Sequence, residues 1–170
     1  MKQKDLNEVR KVVREVVQGS YEGDASSDYH LTDDDNEVYF GNFGAGIIGI
    51  REDGKMLLCK RSQYVNEPGT WSYPGGKIES AEDTKSAAIR ELQEETNYNG
   101  PIENIHLLEK YEDQDNNFTY WTYIANITDF KAQLDWENEK VDWFSIDELP
   151  SPLHFGFEAV LPKLKQYLTK

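Results

Sequence analysis

The chain has 170 residues and carries 18 Lys and Arg against 32 Asp and Glu, a formal net charge of −14. This length fits one domain that buries its own core without disulfide or metal support, and an apolar content of 38% is too high for a wholly disordered chain. The acidic excess argues against a surface that coats nucleic acid or docks on an anionic membrane. An acidic protein can still bind a polyphosphate where divalent cations lie between the two anions. The positions of the carboxylates therefore matter more than their sum.

The N-terminal part of the chain reads as an extension. Apolar residues from Leu6 to Val17 recur at helical spacing, which predicts a helix over residues 5–18. Residues 22–37 contain acidic residues without Lys or Arg, a composition typical of a solvated loop. The predicted domains are an N-terminal extension over residues 1–38 and a core domain over residues 39–170.

The sequence of the core domain predicts strands and helices in a mixed order. β-branched, aromatic and glycine residues before Arg51 are typical of a strand with close backbone packing, and Asp53-Gly54 signals a hairpin turn. Such an order predicts α+β or α/β packing, with helices on a mixed sheet. The predicted strands are residues 38–50, 55–60, 104–112, 118–127 and 141–146, and the predicted helices are residues 81–96 and 157–169.

Cysteine content and hydropathy bear on the compartment. Cys59 is the single cysteine, and its apolar run Met56-Leu57-Leu58-Cys59 predicts a buried core residue rather than a catalytic thiol. The start of the chain has no hydrophobic signal core, and no apolar run approaches the length of a membrane span. These features predict a soluble protein of the reducing cytoplasm.

Three carboxylates cluster on the helix predicted over residues 81–96. Glu91, Glu94 and Glu95 are related by i+3 and i+4 steps, so they project from one face within a single turn. A solvated acidic helix face is one interpretation. The other is a cation site, because bridging cations would relieve the repulsion and oxygen-rich sites suit Mg²⁺ or Mn²⁺.

The loop before this helix favours the cation site. The adjacent glycines Gly75 and Gly76 let the backbone approach a ligand closely and leave carbonyls free as metal ligands. Ser80 is a favourable N-cap residue, and Asp83 three residues later resembles a capping box. The loop lacks the Lys and Ser/Thr of a P-loop, so ATPase chemistry of that kind is not predicted.

The run from Gly76 to Tyr98 resembles the Nudix box, Gly-x5-Glu-x7-Arg-Glu-U-x-Glu-Glu-x-Gly-U, where U is a bulky apolar residue. Asn97 replaces the second glycine. Asn is the commonest non-glycine residue at a left-handed helix C-cap, so the turn is expected to survive. The resemblance extends over roughly residues 40–169. The residues that match the box in register are Gly76, Glu82, Arg90, Glu91, Leu92, Glu94 and Glu95.

The resemblance implies a fold, a reaction and roles for the matching residues. It implies an α/β/α sandwich around a mixed sheet, and hydrolysis of a nucleoside diphosphate linked to another group with the help of Mg²⁺, with Mn²⁺ as an alternative. Glu82 and Arg90 would orient the helix and its carboxylates, and Glu94 or Glu95 would help to position the attacking water. The implied metal ligands are Glu91, Glu94, Glu95 and the carbonyl of Gly75 or Gly76.

Residues outside the box supply candidates for the general base and for substrate contacts. The base varies within the family and is often such a Glu, here Glu137, Glu139 or Glu112, each of which is otherwise a surface charge. Arg51 and Arg61 could bind phosphate or form structural ion pairs. Aromatic rings could stack on a nucleobase or pack in the core. These aromatic candidates are Trp71, Tyr73, Phe118, Tyr120 and Trp121.

The sequence therefore predicts a metal-dependent diphosphatase that acts on a nucleoside triphosphate or a modified nucleotide. ADP-ribose, nucleotide sugars and dinucleoside polyphosphates are alternative substrates. A catalytically silent module that senses a nucleotide is a second hypothesis, disfavoured because all the box carboxylates are present. A third is an interaction protein that uses the acidic residues 22–37 to meet a basic partner. The resemblance also allows a homodimer, and neither a nucleic-acid nor a membrane partner is expected.

Overall fold

The computed structural model describes residues 42–169, together with the backbone of two short strands nearer the N-terminus. The helix predicted over residues 5–18 lies outside the described residues, as does most of the acidic segment 22–37. The strands are β1 His30–Leu31, β2 Val38–Tyr39, β3 Asn42–Ile50, β4 Met56–Arg61, β5 Trp71–Ser72, β6 Gly75–Lys77, β7 Ile102–Asp113, β8 Phe118–Ile127 and β9 Asn138–Phe144, and the helices are α1 Thr84–Thr96 and α2 Phe155–Leu168.

A mixed sheet forms the centre of the domain. Its main path runs β5-β4-β3-β8-β7, with β6 paired to β3 and β9 paired to β4. The β3–β8 pair is parallel and the other pairs of this sheet are antiparallel. β3 and β4 pair only where Ile50 meets Met56, after which β6 lies along β3 and β9 lies along β4. The two halves of the sheet thus diverge from their shared hairpin.

The two helices cover opposite faces of this sheet. β3 alternates its side chains, so that Ile47 joins the apolar cluster that includes Leu92 of α1, whereas Ile48 joins the cluster that includes Phe157 of α2. Burial of these apolar faces stabilises each layer by about 25 cal/mol for every Å² removed from water. The arrangement confirms the predicted α/β sandwich around a mixed sheet.

The interior also confirms the assignment of the single cysteine. Cys59 is 2% exposed on β4, and burial raises the pKa of its thiol well above the ordinary value. A thiol that resists ionisation is a poor nucleophile. Cys59 is therefore a core residue, as its apolar run predicts.

The start of α1 corrects one prediction. Asp83 rather than Ser80 is the N-cap, and its side chain accepts a hydrogen bond from the Ser86 N–H at 2.9 Å. The chain turns first at Ala81, which has a positive φ of 62°, so residues before Asp83 cannot continue the helix. At the other end Asn97 is left-handed, with φ 58° and ψ 31°, as predicted for this C-cap.

The remaining boundaries differ from the predicted ones by a few residues. β9 begins at Asn138 rather than residue 141, because its pairing with Arg61 of β4 extends past the apolar run. α2 begins after His154, which caps it, and contains Pro162 in its interior. Neither helix of the described residues, α1 or α2, has the length and apolar character needed to cross a membrane.

Candidate active site

The box loop, β6 and α1 bring the predicted carboxylates together. β6 pairs with β3 so that Gly76 lies opposite Ala45. α1 buries Leu92 against the sheet, and helical steps carry the neighbouring carboxylates toward β6. A Cβ atom on Gly76 would lie 2.7 Å from the carboxylate of Glu91. Only a glycine therefore lets this carboxylate rest against the loop.

Arg90 is the hydrogen-bonding centre of the site. Its Nε and Nη2 donate to the two oxygens of Glu82 at 2.9 and 3.0 Å, and Nη2 also donates to the carbonyl of Lys77 at 2.9 Å. Its Nη1 donates to Glu91 at 2.8 Å and to Glu94 at 2.9 Å. Such bidentate and charge-assisted bonds fix direction as well as distance. The Glu82–Arg90 pair thus ties the loop to the face of α1 that carries the carboxylates.

Glu95 is buried and Glu91 is partly buried, which changes the acidity of both box carboxylates. Burial raises the pKa of Glu91 to about 7, although the neighbouring Arg90 opposes the shift. Burial raises the pKa of Glu95 to about 8, against hydrogen bonds from the Gly75 N–H at 2.8 Å and the Asn138 side-chain amide at 2.6 Å. Both groups resist ionisation in the metal-free protein, and a bound cation would favour their charged forms.

The donor set fits a hard divalent cation in its chemistry. Carboxylate oxygens and backbone carbonyls are the ligands that Mg²⁺ takes in proteins. Among the residues that the structure describes, however, no three acidic, His or Cys side chains are arranged to hold an ion as they stand. Glu91 and Glu94 instead share one nitrogen of Arg90. Metal binding would thus require carboxylates to turn from the guanidinium toward the ion.

The three candidate bases occupy different surroundings. Burial raises the pKa of Glu137, and its charge contributes to the raised pKa values of two box carboxylates. Glu139 forms an ion pair with Lys60 at 2.6 Å and Glu112 forms one with Lys110 at 3.0 Å. Both of these carboxylates are largely exposed. Only Glu137 of the three candidates therefore acts electrostatically on the box carboxylates.

A cleft of about 270 Å³ opens beside the glycine pair. Phe118 and Tyr120 line it with rings whose centroids lie 6.1 Å apart, whereas Phe43 borders it with its own ring packed against Trp121 in the core. Lys77 and Gly76 complete the side toward the box loop. The cleft and the carboxylates therefore share a border at the loop.

The other candidate aromatic residues pack in the interior. Trp71 meets Phe144 edge to face, with centroids 5.0 Å apart. Tyr73 is 8% exposed and its hydroxyl is hydrogen-bonded to Thr122 at 2.8 Å, while Trp121 is 3% exposed. Burial removes Tyr73 and Trp121 from the predicted nucleobase contacts, and Trp71 is committed to packing. Residue spacing could not separate these rings from those of the cleft, because aromatic residues serve both purposes.

The two candidate phosphate-binding arginines lie far apart. Arg51 follows Ile50 at the C-terminal end of β3, whereas the glycine pair lies beside Ala45 and Gly46. Arg51 forms ion pairs with Asp53 at 2.7 Å and Asp129 at 3.3 Å. This position does not support a substrate contact. Arg61 ends β4 and acts electrostatically on Glu137, and no ion pair to it is found within residues 42–169. Arg61 therefore remains a candidate.

Sequence reasoning missed several residues of the site. Phe43 and Lys77 line the cleft, and Asn138 donates to Glu95 across 43 positions of the chain. Lys77 directly follows the glycine pair, so its place in the loop was a usable signal. No local pattern marks Asn138 or Phe43, because strand register alone brings them to the site.

Comparison with known proteins gives a family and several relatives. A family model described as the NUDIX domain matches residues 42–164. A Mycobacterium tuberculosis protein named "Putative 8-oxo-dGTP diphosphatase 3" is 30% identical over 146 residues, covering 79% of this chain and 67% of that protein. A Mus musculus protein named "Diphosphoinositol polyphosphate phosphohydrolase 2" is 30% identical over 102 residues, covering 57% of this chain and 53% of that protein. A crystal structure of a MutT NUDIX hydrolase from Burkholderia pseudomallei is similar, with a TM-score of 0.61 and 29% sequence identity. The match covers 73% of this chain and 98% of that one.

Proposed function

Because this chain belongs to the Nudix family of hydrolases, which act on phosphorus-containing anhydrides, we propose that it cleaves a pyrophosphate bond in a nucleoside triphosphate or a modified nucleotide. The observation that carries this proposal is the aromatic cleft that borders the carboxylate cluster at Gly76. Rings suit a nucleobase, and an oxygen-rich metal site suits the phosphates. The name of the mycobacterial relative refers to a nucleotide of this kind.

The carboxylates would hold the cofactor. Glu91, Glu94 and Glu95 would bind Mg²⁺ or Mn²⁺, with the carbonyl of Gly75 or Gly76 as a further ligand. Bound there, the cation would neutralise charge on the pyrophosphate and lower the pKa of water.

The remaining residues would orient the reaction. Arg90, anchored by Glu82, would hold the α1 carboxylates in place as they turn toward the cation. Glu137 would accept the proton of the attacking water at its carboxylate. The water oxygen bonds to phosphorus as the anhydride P–O bond breaks, and the leaving phosphate carries away the electron pair.

A nucleotide panel tests the proposal. Phosphate and pyrophosphate release would be measured with Mg²⁺ for nucleoside triphosphates, oxidised triphosphates, ADP-ribose, nucleotide sugars, dinucleoside polyphosphates and a diphosphoinositol polyphosphate. We expect Glu94→Gln, Glu95→Gln and Glu137→Gln each to reduce kcat by about 10² or more. The exposed Glu103→Gln on β7 is the matched control and should leave kcat unchanged. A wild type that cleaves nothing, or carboxylate variants that equal it, would overturn the hydrolase assignment.

The same panel decides between substrates. Preference for triphosphates and their oxidised forms is the expected result. A clear preference for ADP-ribose, a nucleotide sugar or a dinucleoside polyphosphate would overturn the substrate assignment and leave the reaction class intact. Nucleotide binding without turnover would instead support the catalytically silent module.

A further inference from the structure

Glu95 is held from two sides within the site. Its side chain is 7% exposed at the end of α1. One oxygen accepts the Gly75 N–H at 2.8 Å, and the other accepts the Asn138 side-chain amide at 2.6 Å. A carboxylate offers about four acceptor positions, so two bonds fix its orientation and leave acceptor positions for a cation or a water.

Asn138 is itself fixed by its surroundings. Its side chain is 8% exposed, and the same amide nitrogen also lies 3.3 Å from the carboxylate of Asp135. The Asp135 N–H donates to the carbonyl of Glu95 at 3.3 Å, and the Glu137 carbonyl accepts the Ser62 N–H at 2.7 Å. The segment that ends at Asn138 is therefore tied both to the end of α1 and to the strand β4.

The chemistry of an amide suits this place. Asn138 faces two carboxylates, which take hydrogen bonds as acceptors, and its NH₂ group supplies two donors without adding charge. An aspartate would have the same shape but would set a third carboxylate against Glu95. In a site already dense with acidic groups, that exchange replaces attraction by repulsion.

We propose that Asn138 is a positioning residue for Glu95. Together with the Gly75 N–H, the Asn138 amide fixes the orientation in which the Glu95 carboxylate would face the cation and the attacking water. This inference rests on the proposed function. It goes beyond the box, because Asn138 lies outside the motif and is brought to it by the pairing of β4 with β9. It also joins the segment that carries Glu137 to the helix that carries the cation ligands.

Kinetics of full-length Asn138→Ala and Asn138→Asp test the proposal. We expect kcat at saturating Mg²⁺ to fall about 10- to 100-fold in Asn138→Ala, the usual effect of losing a hydrogen bond to a ligand, and further in Asn138→Asp. KM for the nucleotide should change less than about threefold, because Asn138 lies outside the cleft. Asn126→Ala is the matched control and should behave as wild type. Asn126 is exposed near the C-terminal end of β8, where it pairs with Ile50.

Two measurements without turnover separate positioning from a general structural role. Amide hydrogen exchange at Gly75 should quicken in Asn138→Ala, because a released Glu95 no longer accepts that N–H steadily. Affinity for Mn²⁺, measured by electron paramagnetic resonance, should fall about 10- to 100-fold. If Asn138→Ala does not fold, Asn138→Ser, whose hydroxyl is too short to reach Glu95, takes its place with the same expectations.

The outcomes are distinct. Folded variants with wild-type kcat, Mn²⁺ affinity and Gly75 exchange would overturn the proposal, as would a loss of kcat while the other two stay unchanged. A wild type inactive on every nucleotide would overturn the proposed function alone, because Mn²⁺ affinity and Gly75 exchange still test the role of Asn138.

Discussion

At Gly76 the absence of a Cβ atom determines where the Glu91 carboxylate can lie. Any side chain at residue 76 would meet the Glu91 carboxylate, which is the far end of a side chain and not backbone. The protein can therefore fold around a small substituent there by moving the carboxylate. In the proposed mechanism Glu91 is a cation ligand, so catalysis should not tolerate that movement.

Gly76→Ala should accordingly separate activity from stability. We expect kcat to fall by about 10²-fold, because the displaced Glu91 no longer meets the cation. The free energy of unfolding should change little. Urea unfolding and nucleotide turnover on the same preparation provide the measurement.

Gly54→Ala supplies the opposite pattern as a control for that variant. Gly54 has a φ of +81° in the hairpin between β3 and β4, so an alanine there should cost about 1–2 kcal/mol of stability. Its kcat should stay at the wild-type value because the hairpin lies away from the carboxylates. Wild-type turnover by folded Gly76→Ala would contradict the account of the loop.

At the scale of single elements, the helix ends rather than the helix interiors connect this fold to its site. The C-terminal half of α1 carries the carboxylates, and its cap at Asn97 directs the chain back to the sheet. The start of α2 lies within electrostatic reach of the candidate residue Arg61, whose positive charge contributes to the lowered pKa of the cap His154. Both caps can be tested separately from activity.

The corrected N-cap of α1 predicts a clear asymmetry between two variants. Asp83→Ala should lower the free energy of unfolding by about 1 kcal/mol, because the Ser86 N–H loses its acceptor. Ser80→Ala, at an exposed position before the turn, should stay within about 0.5 kcal/mol of wild type. Urea unfolding of both variants gives the comparison, and the reverse order would restore Ser80 as the cap.

The cap of α2 predicts a pH dependence. Nδ1 of His154 accepts the Gly156 N–H at 3.1 Å, which requires an unprotonated nitrogen. Burial lowers the pKa of His154, Arg61 lowers it further and Glu67 opposes them. Since the folded-state pKa lies below the unfolded value of 6.5, this stabilisation is fully present above pH 6.5 and is lost as pH falls through the folded pKa.

His154→Asn isolates that contribution, because asparagine caps a helix without titrating. The stability of wild type relative to this variant should fall as pH drops from 6.5 through the folded-state pKa of His154. Thermal or urea unfolding across this range measures the difference. The titration of the carboxylates cancels in it, because both proteins carry the same carboxylates. A difference independent of pH would show that His154 does not cap through Nδ1.

For the molecule as a whole, the divergence of the sheet is the feature that the site depends on. β3 and β4 meet at one pair of residues and then take different partners, β6 and β9. Glu95 spans those partners, bonding Gly75 of β6 and Asn138 of β9. Charge brought to this junction by a cation should therefore stabilise the fold as well as the substrate complex.

Addition of Mg²⁺ to protein treated with a chelator should raise the melting temperature. Binding to the folded state alone stabilises by about 2.7 kcal/mol when the cation is at 100 times its Kd. The effect should disappear in Glu95→Gln and persist in Glu103→Gln, as measured by calorimetry at several Mg²⁺ concentrations. A melting temperature insensitive to Mg²⁺ and Mn²⁺ would contradict the metal site.

Local signals in the sequence predicted much of the element pattern. Helical spacing placed Glu91, Glu94 and Glu95 on one face, and the left-handed preference of asparagine predicted the cap at Asn97. One exception was Ser80, where the positive φ of Ala81 overrode a favourable capping residue. Local propensity fails there because it does not include the turn that the chain must make between β6, which pairs with β3, and the start of α1.

By itself the sequence determined the family, the α/β class and the acidic turn of α1, because box spacing and helical periodicity are properties of neighbouring residues. The tertiary structure decided which aromatic rings line the cleft, where Arg51 lies and which amide holds Glu95. Those facts depend on strand register and on the divergence of β3 from β4, which join residues as far apart as Glu95 and Asn138. Such pairings follow from the burial of two faces of one sheet at once, and no short stretch of chain encodes them.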